Sequence, residues 1–346
     1  MNPSKLAAGL LAAGISVAAV SAASAQEYTF RLHHFLSAQA PAHSQMLAPW
    51  AERVEELSEG RVEIEIFPAM TLGGAPPELI SQARDGVVDL VWTVNGYTPG
   101  LFPRSEVMEL PFVFLNDPVA ANLALYDMFD DHLSADYQGV EVMFLHVHAG
   151  QALHTVDTEV RTPEDFEGLR LRIPTRTGAW IIEQLGAQPV AMPVPDLPQA
   201  LQTGNVDGAL IPFEIIPPLR IQEQTEYQIE GHDEARFGTT TFQVSMNADR
   251  WNGLPEDIQA AFREASNRDW WGEVGRIWRG TDDFGINMAV EAGNTHVTLT
   301  EDETAAFEEA LQPVVQRWID ELGTQGIDGA ALVEEARRLI AENAEM

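Results

Sequence analysis

Apolar and polar residues alternate over residues 28–34, with Tyr28, Phe30 and Leu32 on one side and Thr29 and Arg31 on the other. A period of two predicts a strand. The pattern then changes: Met46, Leu47, Trp50, Val54 and Leu57 recur at helical spacing and predict a helix over residues 42–58. Alternation returns in GRVEIEIFP, where Val62, Ile64 and Ile66 share a face. PPELISQARDG predicts a short helix that opens on prolines and closes at Gly86, in line with the preferences of helix ends. VVDLVWTV is an almost unbroken apolar run, suited to a strand covered on both faces.

This β-α-β-α-β succession predicts a parallel sheet with right-handed crossovers. Further strands are expected in EVMFLHVHA, LRLRIP, VDGALIP and TTTFQVSMN, and further helices around residues 177–185 and 197–202. Residues 256–292 read as one long helix, with Gly272, Gly275, Gly280 and Gly285 predicting a kink. Residues 301–322 and 330–344 read as terminal helices. Two sheet regions, a late strand and a long helix predict two α/β lobes that the chain crosses more than once. Residues 26–148 with about 238–270 are expected to form one lobe, and residues 149–237 with about 271–346 the other. Ligands of open α/β sheets sit beyond the carboxyl ends of the strands. Between two lobes, that place is a cleft.

The first 25 residues stand apart in composition. Lys5 precedes an apolar run, Leu6 to Val20, and Ala23-Ser24-Ala25 forms an A-x-A signal ahead of Gln26. This is the pattern of an export signal cleaved after Ala25, and the run is too short to span a bilayer. A soluble protein exported to the periplasm is expected, not one embedded in the membrane. Cysteine is absent, which excludes a lipid anchor on cysteine, disulfides and thiolate metal sites. The chain carries 53 acidic against 20 basic residues, a formal net charge of −33. Nucleic acid and anionic membrane surfaces are therefore not expected partners.

Against that acidity, RLRIPTR places three arginines in seven positions, Arg170 to Arg176. Leu169, Leu171 and Ile173 share one face of the predicted strand, and Arg170 and Arg172 the other. Arg172 stands at the carboxyl end, just before Pro174, and is the better placed for a ligand. A guanidinium offers a planar donor fork that matches a carboxylate. Strand ends supply the other candidate ligand contacts. These are His33 and His34, then Asn95 and Tyr97, then His148 and Gln151, then Thr175 and Arg176, and finally Phe213 and Glu214. Trp180 reads as a core residue on its helix.

The segments LGG at 72–74, ARDGVVDLV, ELPFVF, GLRLRIP, LGAQPVAMPVPDLPQALQTGNVDGALIP and LPEDIQAAF together resemble the DctP-like substrate-binding proteins of tripartite ATP-independent periplasmic (TRAP) transporters. The resemblance covers essentially all of residues 26–346, and residues 168–212 carry its most specific part. It implies a two-lobed periplasmic binding protein with a cleft between mixed sheets and a long helix bracing both lobes. It implies that Arg172, in the motif L-R-[IV]-P, clamps the ligand's carboxylate. It implies as partners a small organic anion and the small and large membrane subunits of a permease, and no cofactor. Two departures bear on the ligand. Ile211 stands where many members that bind polar acids carry Asn, and HAGQALHT offers no second arginine after the strand ending at His148. A monocarboxylate with an apolar or aromatic body, or a zwitterion, is expected.

Two other classes are conceivable from the residues. His146 and His148 share a strand face and could bind a metal, but periodicity places no carboxylate beside them. A hydrolase is not expected: G-x-S-x-G and H-E-x-x-H are both missing.

Overall fold

The computed structural model describes residues 26–345. The expected export signal and its cleavage after Ala25 lie outside the described residues. The strands are β1 (Tyr28–His33), β2 (Val62–Phe67), β3 (Leu90–Val94), β4 (Val140–Val147), β5 (Ala152–Thr155), β6 (Arg170–Ile173), β7 (Gln188–Ala191), β8 (Gly208–Ile211), β9 (Tyr227–Glu230), β10 (Thr241–Asn247) and β11 (Thr295–Thr298). They form two mixed sheets, ordered β2-β1-β3-β10-β4 and β11-β9-β5-β8-β6-β7.

In the first sheet β1 runs parallel to β2 and β3, as the β-α-β-α-β pattern requires, and the late strand β10 enters antiparallel between β3 and β4. In the second, β6 is parallel to both β7 and β8, while β5 is antiparallel to β8 and β9. The chain passes from the first sheet to the second at residues 148–151 and returns at residues 231–240. These two crossings are bonded to each other: Gln151 N–H donates to Gly238 O at 2.8 Å, and Phe237 N–H to Gln151 O at 2.9 Å.

The long helical stretch is broken in two, Glu256–Ala265 and Arg268–Glu291. The break lies at Ser266 and Asn267, ahead of every glycine expected to cause it. Asn267 caps the second helix by accepting from Trp270 N–H at 3.1 Å, and Ser266 Oγ accepts from the Trp50 indole at 3.0 Å. Two of the glycines instead allow close packing. A Cβ at Gly275 would lie 2.6 Å from Pro118 O, and one at Gly285 2.0 Å from Phe213 O. Helix Arg268–Glu291 packs against helix Pro118–Met128 and β4 on one side, and against the turn Phe213–Ile215 and β11 on the other. It thus touches elements of both sheets.

The terminal helix Gly329–Ala344 packs against Pro118–Met128 and the turn Ser105–Glu109, on the first sheet's side. The sequence placed it with the second lobe. The physical reason is a buried face of Leu332, Val333, Ala336 and Ile340, together with Asp127, which accepts from both Arg268 and Asn343.

Candidate ligand cavity between the sheets

Arg172 is 2% exposed near the end of β6, inside the second sheet. Its Nε donates to Met192 O at 3.0 Å, and Nη1 makes a longer 3.4 Å contact to Leu210 O. Nη2 is buried without a partner. No carboxylate pairs with this guanidinium among the described residues, and burial pulls its pKa below the ordinary value. An unpaired charge in the interior is costly, so a site built this way is complementary to an anion. Arg170, two residues earlier, faces outward and is engaged by Asp207 at 3.0 and 2.6 Å.

Arg172 opens onto a cavity that encloses about 430 Å³ of non-atom space, solvent at its mouth included. One wall is aromatic. Phe35 stacks on Trp92 with centroids 4.7 Å apart, and Trp92 on Phe242 at 5.3 Å. Phe242 stacks on His146 at 4.7 Å, and His146 on Trp278 at 5.4 Å. Phe35, Trp92, Phe242 and Trp278 all line the cavity, as do Val194, Ile211 and Ile215. Ile211 contributes hydrocarbon where an amide would have made the wall polar.

Five of the residues singled out from the sequence come together here: Tyr97, His148, Gln151, Arg172 and Glu214. The Tyr97 hydroxyl neighbours Arg172 and accepts from Val194 N–H at 2.9 Å. Burial, with the positive charges of Arg172 and Arg236 nearby, holds His148 neutral, its pKa well below that of a free imidazole. Its Nδ1 accepts from Gly150 N–H at 3.0 Å, which puts the ring proton on Nε2. Gln151 Nε2 donates to Thr239 O and Thr240 Oγ1 at 3.2 and 2.9 Å. Burial, with Asp282 close by, pushes the Glu214 carboxyl well above its ordinary pKa and so favours its neutral form.

The other expected contacts lie elsewhere. His33 Nδ1 meets Gln82 Oε1 at 2.7 Å, and His34 Nε2 meets His43 Nδ1 at 2.9 Å. Asn95 bonds Tyr137 and Gln243, and Phe213 packs edge-on against His154 and His296. Thr175 caps helix Arg176–Gln184 through Gly178 N–H. Arg176 is gripped by both oxygens of Glu106 at 2.7 and 2.6 Å, a pair that ties the second sheet's side to the first. As for a metal at His146, its two ring nitrogens face the indole N–H groups of Trp92 and Trp278 at 2.9 and 3.0 Å. No lone pair remains free for a cation.

Residues 32–321 match the model of the bacterial extracellular solute-binding protein family 7, DctP. The chain belongs to this family. The C4-dicarboxylate-binding periplasmic protein DctP of Rhodobacter capsulatus is 25% identical, over 88% of this chain and 90% of its own. A TRAP solute-binding protein from Rhodoferax ferrireducens T118, solved with copurified benzoate, superposes with a TM-score of 0.89. It is 34% identical and covers 92% of this chain and 98% of its own. A marine metagenome TRAP protein specific for aromatic acid ligands, solved with 3-hydroxybenzoate, is also 34% identical with a TM-score of 0.89, over 92% and 99% of the two chains. This family member is thus a solute-binding protein of a TRAP transporter, two-lobed like its relatives, and not an enzyme. No described helix is long and apolar enough to cross a membrane.

The aromatic wall is what sequence reasoning missed. Phe35, Trp92, Phe242 and Trp278 come from four distant segments and read individually as core. The only available signal was position: Phe35 and Trp92 each lie within two residues of a predicted strand end.

Proposed function

We propose that the protein captures a small monocarboxylic acid with an aromatic body and delivers it to the membrane subunits of its transporter. The observation that carries this reading is the buried, partnerless Nη2 of Arg172 beside an aromatic-walled cavity. A carboxylate supplies two acceptors to the guanidinium fork and neutralises its charge. The ring of the ligand lies against Trp92 and Phe242, replacing water on apolar surface. A diacid would bring a second negative charge toward Glu214, where no cation is free to meet it. The reading is supported by the two relatives at 34% identity, one solved with benzoate and one specific for aromatic acids.

The two lobes, divided near residues 148–151 and 231–240, close over the acid by a hinge, and the closed form is what the permease reads. Export with cleavage after Ala25 places the protein in the periplasm. A thermal-shift screen against organic acids tests the ligand class. Aromatic monocarboxylates should raise the melting temperature most. A larger shift with succinate or with a sugar acid would refute the assignment.

A further inference from the structure

Three buried polar atoms without partners belong to residues lining this one cavity: Arg172 Nη2, Gln151 Oε1 and Glu214 Oε2. The arginine nitrogen is answered by the acid. The other two are not, and leaving buried polar groups unmade is costly. Their chemistry is defined. The orientation of the Gln151 amide is fixed because Thr239 O can only accept, so Nε2 faces it and Oε1 is a free acceptor. Glu214 Oε2 is buried at the cavity wall, where burial favours the neutral carboxyl, which offers one O–H donor and acceptor capacity. The cation nearest to it does not pair with it, since Arg236 is bonded to Glu230 and Asp282.

The fold brings the two together. β5 and β8 are antiparallel with Ala152 opposite Ile211, so Gln151 at the start of β5 lies beside the Pro212–Glu214 turn at the end of β8. β6, carrying Arg172, flanks β8 on the other side. Gln151 and Arg172 therefore stand two strands apart, about 10 Å across the sheet, and are offset along it, Arg172 level with Ala209 and Gln151 with Pro212.

We propose that the bound acid carries a hydroxyl group, and that Gln151 and Glu214 are the specificity residues that read it. A hydroxyl donates one hydrogen bond and accepts another, and so satisfies an acceptor and a carboxyl group together. A second carboxylate would meet the Gln151 oxygen with like polarity. An ammonium could pair with Glu214 only if that residue were ionised. An unsubstituted ring would leave both atoms bare. This inference rests on the reading of the cavity as a site for an aromatic monocarboxylate.

The test is calorimetry with benzoate, 3-hydroxybenzoate, 4-hydroxybenzoate and 3-(aminomethyl)benzoate, on the wild type and on Glu214→Gln, Glu214→Leu and Gln151→Leu. The wild type should prefer one hydroxybenzoate over benzoate by about tenfold, the worth of a hydrogen-bonded hydroxyl in a closed site. Glu214→Gln, which keeps a donor and an acceptor, should retain that ratio. Glu214→Leu should bring it close to one, and Gln151→Leu should do the same if the first variant fails to fold. Equal binding of benzoate and both hydroxybenzoates overturns the inference alone, as does a ratio that survives both leucine variants. Tightest binding of the aminomethyl compound also overturns it, since Glu214 would then act as an anion. Binding of none of the four acids would instead overturn the parent reading.

Discussion

Tyr97 and Val194 are joined across the cavity, the amide of Val194 donating to the tyrosine hydroxyl at 2.9 Å. Tyr97 follows β3 of the first sheet, and Val194 follows β7 of the second. The bond exists only when the sheets are close. Tyr97→Phe keeps the ring and removes the bond, so it should weaken ligand binding roughly three- to tenfold by disfavouring closure. Small-angle scattering should show the wild type compacting on ligand saturation, and the variant compacting less at the same ligand concentration. An unchanged radius of gyration in the wild type would contradict the hinge.

Arg172 should dominate affinity. Arg172→Ala leaves the ligand carboxylate buried without its partner, an expected loss of about 2–5 kcal/mol, or roughly 30-fold to several thousandfold in Kd. Arg172→Lys should also bind poorly, because a point charge cannot form the planar fork. Arg170→Ala removes a surface pair with Asp207 and should leave Kd within threefold. In the absence of ligand, Arg172→Ala should melt no lower than the wild type, since it deletes a buried charge that has no counterion. Calorimetry and thermal melts check both halves.

Glu109 provides a pH signature independent of the ligand. It is buried, accepts from Thr241 N–H at 3.0 Å and meets Thr177 Oγ1 at 2.7 Å. Burial, with Glu106 nearby, pushes its pKa up to about 8. A free glutamate titrates near 4.3, so between about pH 4.5 and 8 the native state holds a proton that the unfolded chain has lost. Stability from this group is complete below that window, falls as pH rises through it, and levels off above about 8. Glu109→Gln keeps a donor for Thr177 and an acceptor for Thr241. It should flatten the fall and raise the melting temperature at pH 8. An unaltered pH slope would show that Glu109 is ionised.

Gly285 packs where no side chain fits. A Cβ there would sit 2.0 Å from Phe213 O, a backbone atom that cannot turn away. Gly285→Ala should cost about 1–3 kcal/mol or more despite alanine's better helix propensity, seen as a lowered melting temperature. Gly280→Ala, with open space around its Cβ, should be neutral or stabilising.

What could be read from the sequence follows from how much pattern each element carries. β1 and β2 are six residues long and alternate cleanly, so both stood out. β5, β7, β9 and β11, at four residues each, were not read, whereas β6 and β8, equally short, stood out because a proline closes each run at Pro174 and Pro212. Helix Pro118–Met128 was also missed, because it is apolar nearly all round and presents no stripe. At the cavity, strand ends led to its edge but not always to a residue that lines it. Thr175 adjoins Pro174, Phe213 adjoins Glu214, His34 adjoins Phe35 and Asn95 adjoins Val94, and in each pair only the second lines the cavity. Neighbouring side chains leave the backbone in different directions, in a strand and in a tight turn alike, so an offset of one residue separates lining from not lining. Arg176 escaped for another reason. Its partner Glu106 lies 70 positions earlier, and no local pattern announces such a pair.

The stacked wall has an optical consequence. Trp92 and Trp278 are indoles that border the cavity directly, each with its N–H facing a ring nitrogen of His146. Whatever fills the cavity that both border changes the polarity around two chromophores at once, and a conjugated ring seated against them can quench them by contact. The protein therefore carries an internal gauge of its own occupancy, readable as tryptophan emission without any added label.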